Sequence, residues 1–289
     1  HAVGHLPTGS GHEQRIAKLV TVEQQHASEL AHLVLEDAAM SLELLRNVHS
    51  VQMRPGAAAA SSDGPLLNMR RMVAMVGLEG VRRSALALRP WPGPLSQAHA
   101  QNLAALMDKV KKAAALAVAL SPAGYDGDVI RLITLLQNLG RLLLRYHFAD
   151  EAVQIDQLMH APAETADTPI QPGMNEQAAA FAVLGVDLDQ LAAAVARYWG
   201  LSDDVMKLMR RVEPEGHIHA SEDDAGVLRL IASAAMAAMD AQEPSDRHAA
   251  GALDAVVKRF ARPLKLGFKE FHQILLNGAM PQDAGDTHD

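Results

Sequence analysis

The chain has 289 residues, of which 49% are hydrophobic and 21% charged, a balance that provides ample material for a buried core. It contains no cysteine, which excludes disulfides, cysteine-based zinc sites and thiol catalysis. Its formal net charge is −8, whereas a nucleic-acid-binding protein is expected to carry an excess of basic residues.

Helical periodicity runs through almost the whole chain, and Ala, Leu and Met, which favour helices, dominate its apolar residues. In chain order, helices are predicted in residues 26–50, in a pair joined at Gly77, in a long segment ending before Pro122, from about Asp126 through 144, and in 175–184, 187–199, 202–212, 227–239, 246–262 and 266–276. Loops or linkers are predicted in 54–65, 89–94 and 161–173. We find no strand pattern and no internal repeat, so the sequence predicts an all-α fold.

The sequence contains no uninterrupted apolar run long enough to span a membrane, since a span needs about 18 such residues. It begins with His1 and shows no charged-then-apolar signal segment. We therefore expect a processed chain or a piece of a longer protein, located in the cytoplasm and not associated with a membrane.

The stretch "LITLLQNLGRLLL" (132–144) interrupts an apolar run with the polar pair Gln137 and Asn138. At helical spacing, its leucines share one face and anchor the helix in the core. Gln137, Asn138, Arg141 and Arg145 lie roughly opposite. Two interpretations remain open for this polar face: it is solvated, or it lines a groove.

Four segments, in order, resemble the HDOD family, a signalling offshoot of the HD superfamily of metal-dependent phosphohydrolases. "EDAAMSLELLRNVHS" (36–50) is similar to the family's "DPALTAKLLRLANS", and "RRMVAMVGLEGVRRSALAL" (70–88) to its "AIALLGLERLRNLALS". "LLQNLGRLLL" (135–144) resembles the HD core "LLHDIGKLLL". Residues 176–205 resemble "E...GVDHAELGAALLRRWGLPEEI", so the likeness extends from about Ile16 to Arg211. It implies a multi-helix, HD-domain-like bundle.

An HD phosphohydrolase holds its metal with a cluster of His and Asp side chains, and the metal activates water for attack on phosphate. The resemblance assigns the His-Asp pair to Gln137 and Asn138, an earlier histidine to Lys109 and a later one to Leu188. A terminal histidine pair falls near Arg210 and Arg211. None of these residues is a metal ligand of the required kind, so we expect no metal, no cofactor and no enzymatic activity.

Other residues offer weaker signals of chemistry. His217 and His219 alternate in a glycine-flanked loop beside acidic residues, which suggests either a metal site or, more simply, a solvated loop. Trp199 is expected in the core near the end of a helix. The thirteen methionines, at helical spacing, are expected to fill the core, although some could line an adaptable partner groove.

The resemblance also suggests a division of the chain. We predict a disordered or linker segment in 1–11, an HDOD domain in 12–212, a helical extension packed on that domain in 213–279, and a disordered tail in 280–289. Within the domain, 12–95 would form an N-terminal half and 96–212 the degenerate HD-like half.

The resemblance implies a non-catalytic bacterial regulatory module that acts through protein contacts or a small ligand, within a longer signalling protein. A kinase, receiver or cyclic-dinucleotide domain would be fused to it or be its partner. We expect a cleft between the two halves, lined by Lys109, Gln137, Asn138 and Arg141, whose cations suit a small anionic ligand.

Two alternatives remain. One is a residual metal-dependent phosphohydrolase or cyclic-dinucleotide phosphodiesterase that uses rearranged ligands. The other is a nucleic-acid-binding regulator that uses the basic patches Arg82–Arg83 and Lys109–Lys111–Lys112. The net charge argues against nucleic acid as a partner.

Overall fold

The computed structural model describes residues 3–9, 27–52, 67–160, 173–213, 218–221, 223–242 and 249–279. The helices of these residues are α1 (Ala27–Leu35), α2 (Ala38–Gln52), α3 (Met69–Leu86), α4 (Gln97–Leu120), α5 (Gly127–Gln137), α6 (Leu139–His147), α7 (Ala149–Met159), α8 (Glu176–Leu184), α9 (Leu188–Tyr198), α10 (Asp203–Met209), α11 (Asp224–Ala241), α12 (Ala249–Phe260) and α13 (Phe268–Ala279). The described residues contain no strand beyond an isolated bridge between Pro7 and Arg89. The predicted all-α class is confirmed.

The chain divides into two compact units. Unit 1 consists of His1–Asp108 and Leu136–Arg210, and unit 2 of Lys109–Leu135 and Arg211–Asp289. The division falls within α4 and α5, so each of these helices contributes residues to both units. The unit boundary after Arg210 lies close to the predicted domain boundary after 212, whereas the predicted boundary between 95 and 96 falls inside unit 1.

The first three helices of unit 1 pack on one another around fully buried apolar side chains, among them Leu44, Leu45 and Met72. Asn47 on α2 donates a hydrogen bond from its amide to the Ser84 hydroxyl on α3, over 2.7 Å. This bond links α2 to α3 and fixes which face of α3 lies against α2.

Helix α3 bends at Gly77, whose backbone angles (φ 65°, ψ 178°) are not helical. A residue with a Cβ atom is strained in this region, so the bend depends on glycine. The prediction of two helical segments joined at Gly77 is confirmed by this geometry.

Helices α6 to α10 complete unit 1, with α6 packed on α7 and α9, and α8 packed on α7 and α9. Helices α8, α9 and α10 each begin at a residue whose side chain accepts a capping hydrogen bond, namely Asn175, Asp187 and Ser202. The Asp187 carboxylate accepts a hydrogen bond from the backbone N–H of Gln190, and the Gln190 side-chain oxygen accepts one from the backbone N–H of Asp187. Together these two bonds form a capping box. Gly185, in the left-handed conformation (φ 74°), ends α8 and lets the chain turn directly into α9.

Residues 3–9, which the sequence suggests are disordered or a linker, instead pack within unit 1; we call them the N-terminal strap. Leu6 and Thr8 are buried. The strap is held mainly through its backbone, as the Trp199 indole donates to the Val3 carbonyl and the Thr8 amide to the Arg89 carbonyl. Polar and glycine residues make this segment look like a linker, and only its tertiary contacts order it.

In unit 2, α11 packs on α12 and α12 on α13. The middle of α11 is fully buried, and the hydroxyl of its Ser233 accepts a hydrogen bond from the Val212 amide over 3.0 Å. These helices occupy the part of the chain predicted as a C-terminal extension. The predicted tail 280–289 and most of the predicted loops 54–65 and 161–173 lie outside the described residues.

Among the helices that the structure describes, none is long and apolar enough by itself to cross a membrane. The pair α8 and α9, bent by 69°, meets the criterion jointly by length and composition alone.

Candidate functional site

The polar pair Gln137–Asn138 lies at a break between two helices. The sequence predicts one helix through this stretch, but α5 ends at Gln137 and α6 begins at Leu139, with Asn138 (φ −105°, ψ 6°) between them. The predicted apolar face is confirmed, because Leu132, Leu136 and Leu139 are all buried.

Gln137 and Asn138 do not lie on a solvated face. Gln137 is 5% exposed and Asn138 is fully buried. The Gln137 amide donates to the backbone carbonyl of Leu208 over 3.1 Å, which satisfies a group that would be costly to bury alone. Of the two interpretations of this polar face, the solvated one is therefore wrong for these two residues. Their amides are part of the interior of unit 1.

The two arginines that follow are engaged in ion pairs. Arg141 contacts the Glu176 carboxylate at the start of α8, with nitrogen–oxygen distances of 2.6 to 2.9 Å. Arg145 forms a bidentate ion pair with Asp156 of α7, with nitrogen–oxygen distances of 2.6 and 2.7 Å. Such paired geometry is the strongest that arginine forms with a carboxylate. Both arginines thus join α6 to its neighbouring helices.

Helix α6 approaches α9 very closely at Gly140. A Cβ atom added to Gly140 would overlap the Leu188 carbonyl oxygen and lie 2.9 Å from the carbonyl carbon. Glycine is therefore required for this contact between α6 and the first residue of α9. The backbone of Leu188 therefore lies directly against α6.

Leu188 occupies the position that the family resemblance assigns to a metal-binding histidine. Its side chain is 3% exposed and packs in an apolar cluster with Leu144, Ile155 and Ala180. The Leu188 amide donates to the Gln177 side chain over 2.9 Å. This position contributes to the core of unit 1 and offers no ligand for a metal.

Lys109 belongs to unit 2, where its ammonium group lies 2.7 Å from the Asp240 carboxylate of α11. Asp240 also pairs with Arg211 at 3.3 Å, so one carboxylate serves two cations. Arg229 of the same helix donates to the Arg211 carbonyl over 3.2 Å. The cation that the resemblance assigns to a metal-ligand position is thus held by an internal ion pair.

The residues at the family's metal positions do not fit a metal. Two are buried neutral amides, one is a core leucine and one is an ion-paired lysine. Within the described ranges, no group of three His, Asp or Glu side chains is arranged to hold a metal ion. Of the histidine pair in the glycine-flanked loop, His219 is exposed and His217 lies outside the described residues.

The structure does not bring the four candidate cleft residues together within one unit. Gln137, Asn138 and Arg141 belong to unit 1 and Lys109 to unit 2. Sequence reasoning missed the acidic partners of the two cations. Glu176 begins a segment already used for the resemblance and could have been suspected, whereas no sequence signal connects Asp240 to Lys109.

The other side chains singled out in the sequence have structural roles in most cases. Trp199 is buried, as predicted. Met69, Met72 and Met209 are buried too, but Met75, Met159 and Met174 are exposed, so the expectation that the methionines fill the core is wrong for these three. Arg82 and Arg83 are exposed on α3.

Residues 6–214 match the HDOD domain family. Among solved structures, the chain is similar to the MmoQ response regulator of Methylococcus capsulatus str. Bath, with a TM-score of 0.62, 20% identity and coverage of 95% of this chain and 99% of that chain. It is also similar to a virulence factor of Campylobacter jejuni subsp. jejuni, with a TM-score of 0.64, 14% identity and coverage of 95% and 93%. No curated protein matches the chain.

Proposed function

Because the chain belongs to the HDOD domain family, we propose that it is a signalling module, related to HD-type proteins, that binds a partner protein and does not hydrolyse phosphate esters. The similarity to a protein described as a response regulator supports the signalling part of this proposal. The regulated activity would then reside in a domain fused to this chain or in a separate protein, such as a kinase, a receiver or an enzyme of cyclic-dinucleotide metabolism.

The observation that carries the non-catalytic part is the packing at Leu188. Metal-assisted hydrolysis needs ligands, an open coordination position and room for water beside the metal. Here the helix backbones meet at Gly140 and Leu188, and the Leu188 side chain fills an apolar cluster. Changing one residue would not restore a metal site, since Gln137, Asn138 and Lys109 also lack the imidazole and carboxylate groups that the resemblance requires.

A protein partner is more consistent with the surroundings of Lys109 and Arg141 than a small anionic ligand is. Lys109 and Arg141, the cations suggested for such a ligand, have Asp240 and Glu176 at ion-pair distance. An anion would have to displace these carboxylates from partly buried positions, which costs most of the attraction that it gains. Binding is therefore expected at exposed groups elsewhere.

Hydrolysis assays test this proposal. The purified protein would be incubated with Mn²⁺, Fe²⁺, Ni²⁺ or Mg²⁺ and with bis(p-nitrophenyl) phosphate or cyclic dinucleotides. We expect no turnover above the protein-free control, either for the wild type or for a Gln137→His, Asn138→Asp double variant, because Leu188 and Lys109 still lack ligand atoms. Metal-dependent turnover by the wild type would overturn the proposal.

A second assay addresses the ligand alternative. We expect the wild type to bind cyclic dinucleotides only at the background level. Charge reversal by Lys109→Glu or Arg141→Glu should not change that level. Saturable binding that either substitution abolishes would instead establish an anionic-ligand site.

A further inference from the structure

Helix α3 presents an exposed outer face after its bend at Gly77. Leu78, Arg82 and Leu86 follow one another at four-residue spacing, so they lie in one line along the helix. Arg83 lies beside this line. All four are exposed, and Leu86, at 76%, is the most exposed of the large apolar side chains that the structure describes. We call these four residues the α3 outer face.

The opposite side of α3 is firmly held in unit 1. Gly80, Val81 and Ser84 are buried, and the Ser84 hydroxyl accepts the hydrogen bond from Asn47 of α2. The helix therefore cannot rotate to bury Leu78 or Leu86 without breaking its packing on α1 and α2. The exposure of these leucines follows from the fold.

The charge of α3 is opposite to that of the chain. The helix carries four arginines and one carboxylate, Glu79, whereas the whole chain has a net charge of −8. Arginine and methionine are enriched in protein–protein interfaces, and exposed leucines beside them add apolar surface that a partner can bury. The complementary surface is one that combines carboxylates with apolar side chains.

We propose that the α3 outer face is the docking surface for an acidic, amphipathic helical segment of a partner protein. This inference rests on the proposed function and specifies the chemistry of the partner. In the complex, leucines of the partner would cover Leu78 and Leu86, while its carboxylates pair with Arg82 and Arg83. Met75 is also exposed on α3, before the bend.

Two other partners fit the same face less well. A lipid surface would require the apolar residues to enter the acyl region, but Arg82 lies between Leu78 and Leu86 on their own line. A nucleic acid would pair with the arginines but leave the leucines exposed, and the net charge of −8 repels a polyanion.

The test uses a synthetic amphipathic peptide of about 18 residues, long enough for five helical turns, with leucines on one face and glutamates beside them. Its binding to the whole chain would be measured by fluorescence anisotropy at about 25 mM and about 300 mM NaCl. A scrambled peptide of the same composition serves as the reference. We expect saturable binding of the helical peptide that weakens at the higher salt concentration.

Two kinds of variants locate the site. Arg82→Glu with Arg83→Glu should weaken peptide binding by about tenfold or more, and Leu86→Gln should weaken it by a smaller factor. The matched control is Arg197→Glu with Arg262→Glu, which changes the net charge equally at exposed arginines outside α3 and should leave the affinity unchanged. Thermal unfolding of each variant checks that the fold is intact.

The inference is overturned if the peptide does not bind, or if the α3 and control variants bind it equally. It is also overturned if the α3 variants lose binding to a DNA duplex, or to vesicles of phosphatidylserine and phosphatidylcholine, while their affinity for the peptide is unchanged. Failure of the proposed function would look different, since metal-dependent hydrolysis would appear in the separate assays and would not respond to the α3 substitutions.

Discussion

The contact between Gly140 and Leu188 depends on the identity of both residues. Glycine at 140 admits the backbone of α9, and leucine at 188 fills the apolar cluster beside it. The family resemblance assigns Leu188 and the Gln137–Asn138 pair to metal-ligand positions, where none of them supplies a histidine or aspartate side chain. The sequence alone could not predict how closely the two helices approach, because a glycine inside an apolar helix has several possible causes.

Replacing Gly140 by alanine should destabilise the protein. The added methyl group would overlap the Leu188 carbonyl, so α6 and α9 must move apart, at a cost of about 1–3 kcal/mol. Gly251→Ala is the matched control, because that helical position has open space and alanine favours helices by about 0.5–1 kcal/mol. Urea unfolding should show a lower midpoint for the first variant only. Equal midpoints would show that the close contact does not form.

Glu43 makes stability depend on pH in the acidic range. Burial alone would raise the pKa of this carboxyl group, but hydrogen bonds from His5 and Arg46, together with their charges, lower it below its ordinary value. A carboxyl group whose pKa is lowered on folding stabilises the protein above its unfolded pKa, which is about 4.3 for Glu. That contribution is lost as the pH falls through the folded pKa.

Glu43→Gln should therefore lower the free energy of unfolding at pH 7 and approach the wild-type value as the pH falls toward about 3. Denaturant unfolding across this range measures the difference. The exposed Glu29→Gln variant is the control and should differ little from the wild type throughout. A difference between Glu43→Gln and the wild type that does not change with pH would contradict the role of this ion pair.

At the scale of the elements, the periodicity of the apolar residues predicted most helices well. Asp187 with Gln190, and Gly185 before them, mark the junction of α8 and α9 in the sequence as clearly as in the structure. The break at Asn138 was missed, because leucines continue at helical spacing on both sides of it. The N-terminal strap was missed for a different reason, since its order comes from backbone contacts with distant residues such as Trp199.

Gly77 and Gly185, two of the glycines with left-handed φ values, should respond differently to substitution. At Gly185 (φ 74°, ψ 2°), alanine can adopt the left-handed helical region at a cost of about 1–2 kcal/mol. At Gly77 (φ 65°, ψ 178°), the backbone lies in a region that other residues rarely enter, at a cost of about 1–3 kcal/mol. Neither position has a neighbouring atom within 4 Å of an added Cβ, so backbone strain alone determines how much stability each substitution costs.

Thermal unfolding of Gly77→Ala, Gly77→Asn, Gly185→Ala and Gly185→Asn tests this comparison. We expect asparagine, which tolerates the left-handed helical region, to recover stability at 185 but not at 77. Recovery at both positions would mean that the bend of α3 can adopt an ordinary left-handed conformation.

At the scale of the whole molecule, the family and the fold were predictable, since four segments in order resemble the HDOD family and residues 6–214 match it. The candidate site was only partly predictable. The resemblance assigns residues other than His and Asp to the metal positions, but the ion pairs of Lys109 with Asp240 and of Arg141 with Glu176 join residues far apart in the chain. The exposed α3 outer face was likewise hidden, because Leu78 and Leu86 look like core residues until the packing is known.

The most direct test of the central claim is elemental analysis by inductively coupled plasma mass spectrometry. The protein would be purified without added metal and without chelator, so that a tightly bound ion is retained. We expect a folded protein with far less than one equivalent of any transition metal. A full equivalent of iron, manganese or zinc per chain would contradict the non-catalytic interpretation and would restore the hydrolase as the leading function.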